Sequence, residues 1–161
     1  MPHQRKLDEK FMRLAISKAR EGIGHGQSPF GACLVRKGRV VVCEHNIVWE
    51  TMDVTAHAEI HVLRSACKKL KTIDLSGSTM YATCEPCPMC YSACHWARIS
   101  RIVYGAHESD AQKYGFNELR IPDLKMRKYE RLPVKIVPGF LHSECLELFE
   151  LWAKRKTKRP Y

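Results

Sequence analysis

Residues 84–90 read CEPCPMC, three cysteines and two prolines in a short stretch. Cys87 and Cys90 form a C-x-x-C, the spacing at which two thiolates from one helical turn reach a single zinc ion. Pro86 and Pro88 favour a helix start there, and the unpaired N–H groups and dipole of a helix N-terminus stabilise thiolate. Two thiolates are half a site. Upstream, TAHAEI places His57 and Glu59 at the start of a second apolar helix. On a helix wall, residues two apart point to different sides, but at the helix end both can lean into one pocket. His57, Cys87 and Cys90 would then be three ligands of a catalytic zinc, with the fourth position left to water and Glu59 beside it as the proton carrier. A thioredoxin-type redox pair or two small buried residues would explain the C-x-x-C alone, and leave His57 and Glu59 unexplained. Cys84 and Cys94 are rival ligands that the three-ligand set does not need. Cys33, Cys43, Cys67 and Cys145 read as core or surface thiols.

A chain of 161 residues is long enough to hold such a site in one domain without covalent staples. Hydrophobic residues at 45% and charged residues at 27% make a globular balance. Eight cysteines would suit a disulfide framework in a short secreted chain, but here they point to thiols and a metal. Residues 1–20 are too charged for a secretory signal, and no run of about 18 apolar residues exists to span a bilayer. A cytoplasmic protein with no membrane partner is expected. The net charge is +10, and Lys154, Arg155, Lys156, Lys158 and Arg159 crowd the C-terminus. Such a run either binds nucleic acid or is a solvated tail.

The elements that must position the site follow from periodicity. Leu7, Phe11, Leu14, Ala15 and Lys18 recur at helical spacing over 7–21, ahead of the glycine-rich GIGHGQSP. FGACLVR and RVVVCEH flank Lys37-Gly38 as a hairpin, and the irregular NIVWETMDV follows. AHAEIHVLRSACKKL reads as a helix, with Asp53 or Thr55 available to cap it. STMYATC is a strand, PCPMCYSACHWAR a helix and ISRIVYGA another strand. Residues 107–132 read as a loop with helical pieces, LPVKIVP as a short strand and HSECLELFELWAKRK as a closing helix. This order predicts an α/β fold, a mixed sheet covered on both faces.

H-x-E followed by P-C-x-x-C is also a signature of zinc-dependent nucleobase deaminases, and the chain resembles the cytidine-deaminase-like superfamily over nearly its whole length. The resemblance implies a three-layer α/β/α sandwich with a mixed five-stranded sheet and one zinc per chain. Within the superfamily, PFGACLV, CEPCPMCYSACHWARI and HESDAQKYGFNE resemble the guanine deaminases. That likeness implies a purine substrate held by Asn46 and Phe30, with Ala58 N–H and Trp96 nearby. It makes Glu118, where some members have Asp, a second proton relay. It also implies a homodimer in which residues 140–161 cross to the neighbouring subunit and Tyr161 closes its site. The tRNA adenosine deaminases share H-A-E and P-C-x-M-C and tend to a basic C-terminal helix. Their fourth strand usually runs into D-x-K-x-G-A, which is absent here. Cytosine or guanosine deamination and a structural zinc in an RNA-binding module complete the alternatives. An adjacent general base argues against the last.

Overall fold

The computed structural model describes residues 2–131 and 133–161. Leu132, at the start of the expected LPVKIVP strand, lies outside them. Helix α1 spans Pro2–Gly24, longer than the expected 7–21. Phe11, Met12, Ala15, Ile16, Ala19 and Ile23 form its buried stripe, the three- and four-residue spacing of one helix face. The hairpin strands β1 (Gly31–Arg36) and β2 (Arg39–His45) turn at Lys37 and Gly38, both at positive φ, as a two-residue primed turn requires.

The short helix α2 (Val48–Thr51) occupies the stretch read as irregular, and α3 spans Ala58–Leu70. Then come β3 (Ser78–Cys84), α4 (Pro88–Trp96) and β4 (Arg101–Ala106). Two short helices follow, α5 (Glu108–Lys113) and α6 (Asp123–Met126), and a 3₁₀ turn at Arg127–Tyr129. The chain closes with β5 (Lys135–Val137) and α7 (His142–Ala153).

The sheet order is β2-β1-β3-β4-β5, antiparallel across β2-β1-β3 and parallel across β3-β4-β5. Because side chains alternate along a strand, each strand serves both faces. Cys33, Val35, Tyr81 and Val103 meet α1 and α7, while Leu34, Met80, Ala82 and Ile102 meet α3 and α4. Burial on both faces explains why β1, β3 and β4 are almost continuously apolar instead of alternating. Gly31 and Gly105 let the helices approach closely: a Cβ at Gly31 would collide with α1 backbone, and one at Gly105 with Cys145 of α7. The three-layer sandwich with a mixed five-stranded sheet is as expected. Among the described residues no helix is long and apolar enough to cross a membrane.

Two expectations fail. Cys33 and Cys43, read as free thiols, are directly opposed in the β1·β2 register and are joined as a disulfide. Antiparallel pairing brings opposed Cβ atoms within about 5 Å, a proximity that sequence spacing alone conceals. Nor do Asp53 and Thr55 cap α3. The carboxylate of Asp53 accepts from the N–H and hydroxyl of Thr55, closing a turn ahead of the helix, and the N-cap is His57.

Candidate active site

Helices α3 and α4 begin in the same way. His57 is the N-cap of α3 (φ −61°, ψ 160°) and Cys87 the N-cap of α4 (φ −64°, ψ 166°), with Pro88 at the first helical position of α4. Neither cap side chain bonds its own helix, so both are free to turn toward one point. His57 Nδ1 stands 3.6 Å from Cys87 Sγ and 3.5 Å from Cys90 Sγ. Ligands at zinc–sulfur and zinc–nitrogen bond lengths in a tetrahedron lie about 3.6 Å apart, so this donor set fits one zinc ion without rearrangement. Ala58, buried at the first helical position of α3, contributes one of the orphan N–H groups of that helix start.

The electrostatics match that geometry. The Cys90 hydrogen bond, opposed by burial and helped by His57, brings Cys87 down to about 4. Burial opposes a charged His57, but the neighbouring Cys87 thiolate outweighs it and raises the imidazole pKa. Burial holds the Cys90 thiol well above its usual range. A metal at this point must displace the protons that remain, so its binding is coupled to proton release. Glu59, in the first turn of α3, is pushed up to about 7 by burial, with His57 pulling the other way. Glu118 is also raised to about 7, first by burial and then by the Cys87 charge, so the loop after α5 brings a second carboxyl within electrostatic reach.

Cys84 and Cys94 are buried outside the ligand set, and Cys84 Sγ faces the His107 carbonyl. Phe30 packs edge-on against Phe116 at 4.9 Å and Phe149 at 5.7 Å. Trp96 sits apart from this group in the single chain. It is the last residue of α4, 82% exposed, roughly 13 Å along the helix axis from the Cys87 end at 1.5 Å per residue. It lines a surface groove with Ile73 and Arg98, away from His57.

The C-terminal segment folds over the site of its own chain. Cys145, Leu148, Phe149 and Trp152 of α7 are core residues, and α7 packs on β4 and α1. Beyond it the tail returns to the site. Tyr161 OH lies 2.6 Å from the Asn46 Nδ2 that donates to it, and its carbonyl accepts from Asn117 N–H. Its ring lies 5.6 Å from both the His57 and Phe116 rings. Asn46 is fully buried, and its Oδ1 accepts from Val48 N–H. Trp49 was not singled out from the sequence, yet it anchors the tail. Its Nε1–H donates to the Arg159 carbonyl, and the Arg159 guanidinium lies 4.1 Å over the indole. A lone tryptophan in an irregular stretch carries no periodic signal of such a contact.

Residues 5–106 match the family described as the cytidine and deoxycytidylate deaminase zinc-binding region. The chain belongs to that family. It is a zinc-binding deaminase, a hydrolase, with a candidate His/Cys/Cys metal centre. It is 35% identical to a guanine deaminase of Bacillus subtilis over 154 residues, 95% of this chain and 98% of the relative. It is 47% identical to a tRNA-specific adenosine deaminase of Agrobacterium fabrum over 146 residues, 91% and 93% of the two chains. The solved guanine deaminase of Nitrosomonas europaea superimposes with a TM-score of 0.82 at 28% identity, over 89% of this deaminase and 83% of that chain.

Proposed function

We propose that this deaminase converts guanine to xanthine and ammonia in the cytoplasm, with His57, Cys87 and Cys90 as the zinc ligands. The observation that carries the reading is the cover: Tyr161 reaches Asn46 and closes over His57, an enclosure that suits a small planar base better than a tRNA loop. Zinc held by these three residues would supply a Lewis acid that activates water for attack. Glu59 accepts the proton of the attacking water and delivers it to ring N3 as purine C2 becomes tetrahedral. Its pKa, up to about 7, suits a group that must both take and give a proton near neutrality. Glu118, the second raised carboxyl, protonates the departing amine. Asn46 hydrogen-bonds the base once Tyr161 yields its amide, while Phe30 and the Ala58 N–H help to position it.

A homodimer exchanging residues 140–161 would present Tyr161 to Asn46 from the neighbouring chain with the same contacts. The second reading is adenosine deamination in tRNA. It is favoured by the exposed Lys154, Lys156, Lys158 and Arg159 on the covering segment and by the likeness to the Agrobacterium enzyme. Purified protein offered guanine, adenine, cytosine, guanosine and tRNA bearing adenosine-34 is expected to release ammonia from guanine. Release from the tRNA alone would replace the first reading with the second and leave the metal site standing.

A further inference from the structure

A second cluster of metal-binding side chains lies outside the active site. Glu21 lies in the last turn of α1, and His25, the first residue past that helix, donates its N–H to the Glu21 carbonyl at 3.1 Å, which keeps the two side chains one turn apart. His45, the last residue of β2, completes the group, and one donor atom from each of the three lies within 4.8 Å of the others. The His25 and His45 rings are 5.9 Å apart, close to perpendicular.

His45 is built into its place. It is 8% exposed, and its Nδ1 lies 2.8 Å from the Asn46 carbonyl. A carbonyl only accepts, so Nδ1 carries the proton and Nε2 bears the free lone pair. This is how backbone carbonyls orient the imidazoles that ligate metals. Among the described residues Nε2 takes no hydrogen bond. Room for the ring comes from Gly22, between Glu21 and His25: a Cβ there would come within 2.7 Å of the imidazole. Glycine is a poorer helix former than alanine, so the space for His45 comes at the expense of helix stability.

The geometry points to a second metal site at Glu21, His25 and His45, for a divalent first-row transition cation such as zinc. Two imidazoles and one carboxylate are a donor set of borderline softness, suited to zinc, cobalt or nickel and poorly suited to magnesium or calcium. Ligand atoms around such an ion stand about 3 Å apart, and the exposed Glu21 and His25 side chains close the remaining gap onto the fixed His45. Glu21 gives up its ion pair with Lys18 at 2.8 Å, an exposed contact that contributes little. This site stands apart from the substrate question and from the His57 centre.

The test is metal stoichiometry and spectrum. Protein already holding one equivalent of zinc is titrated with Co²⁺ and followed by equilibrium dialysis and visible absorption. A second equivalent is expected, with d–d bands and no thiolate charge-transfer band, since this site has no sulfur. Magnesium at millimolar concentration should not displace it. His25→Ala and Glu21→Gln, both surface substitutions, should each weaken the second equivalent at least about tenfold, as each removes one of three ligands. A single equivalent in the unaltered protein, or a second equivalent that neither substitution affects, would overturn the assignment.

Discussion

The metal cradle and the cover over it are built by opposite means. The cradle comes from two helix starts whose caps share one backbone conformation, and Cys87 and Cys90 are three residues apart. Its position is set by α3 and α4, locked on one face of the sheet by Leu34, Met80 and Ile102. The cover comes from the end of the chain and is held by a few long-range contacts, among them Tyr161 to Asn46 and Trp49 to Arg159 across separations of 115 and 110 residues. The difference teaches that the metal ligands rest on packed secondary structure while the segment over them hangs on a strap. The two should respond differently to substitution.

Breaking the cradle should have the largest effect. Cys90→Ala and His57→Ala leave two ligands, and both zinc and activity should be lost, read by elemental analysis and ammonia release. Glu59→Gln should keep zinc and fold yet lose at least about 10²-fold in turnover. Near-normal turnover would remove Glu59 from the mechanism.

Loosening the strap sharpens the contrast. Trp49→Phe keeps a ring under Arg159 but removes the indole N–H bond, a net loss of about 1 kcal/mol. The expected outcome is a several-fold rise in the KM for guanine, with zinc content unchanged. An unchanged KM would mean that the strap does not depend on Trp49.

The smallest effect on catalysis should come from the far face. Buried Asp8 accepts two hydrogen bonds from Arg101 at 2.7 Å and one from Tyr81, tying α1 to β4 and β3. Burial alone would raise its pKa, but these partners hold it below the usual carboxylate range. The folded pKa is therefore the lower one. The contribution to stability is fully present above the unfolded pKa of about 4 and is lost as pH falls through the folded value. Asp8→Asn should destabilise by roughly 3 kcal/mol at pH 7, with the deficit shrinking below pH 4 in thermal melts and kcat unchanged.

The same contrast decides what the sequence discloses. The ligand set, Glu59 and both helix starts are legible because their signals are local: C-x-x-C, H-x-E, a proline at the first helical position. The strands' places along the chain are legible because apolar runs mark doubly buried strands; their order in the sheet follows from no local pattern. Cys33 with Cys43 was missed because residues ten apart become neighbours only after the hairpin registers. Motif membership says nothing of which end of the nine-residue α4 lies by the metal, so no local pattern places Trp96, at its far end. Phe30 and Asn46 were named through family likeness. Their contacts with Phe116 and Tyr161 are long-range and follow from no local pattern.

The most direct measurement of the central claim is guanine turnover after deletion of Pro160 and Tyr161 alone. That deletion removes the phenol over His57 and the partner of Asn46 but no charged side chain. If Tyr161 closes the site on a small base, kcat/KM for guanine should fall by at least about tenfold, because an unclosed site admits water and weakens every electrostatic interaction within it. Zinc content and the salt dependence of any RNA binding should be unchanged. Full guanine turnover in the truncated protein would contradict the cover. Loss of tRNA deamination on neutralising Lys154, Arg155, Lys156, Lys158 and Arg159, with guanine inert throughout, would transfer the assignment to the tRNA substrate.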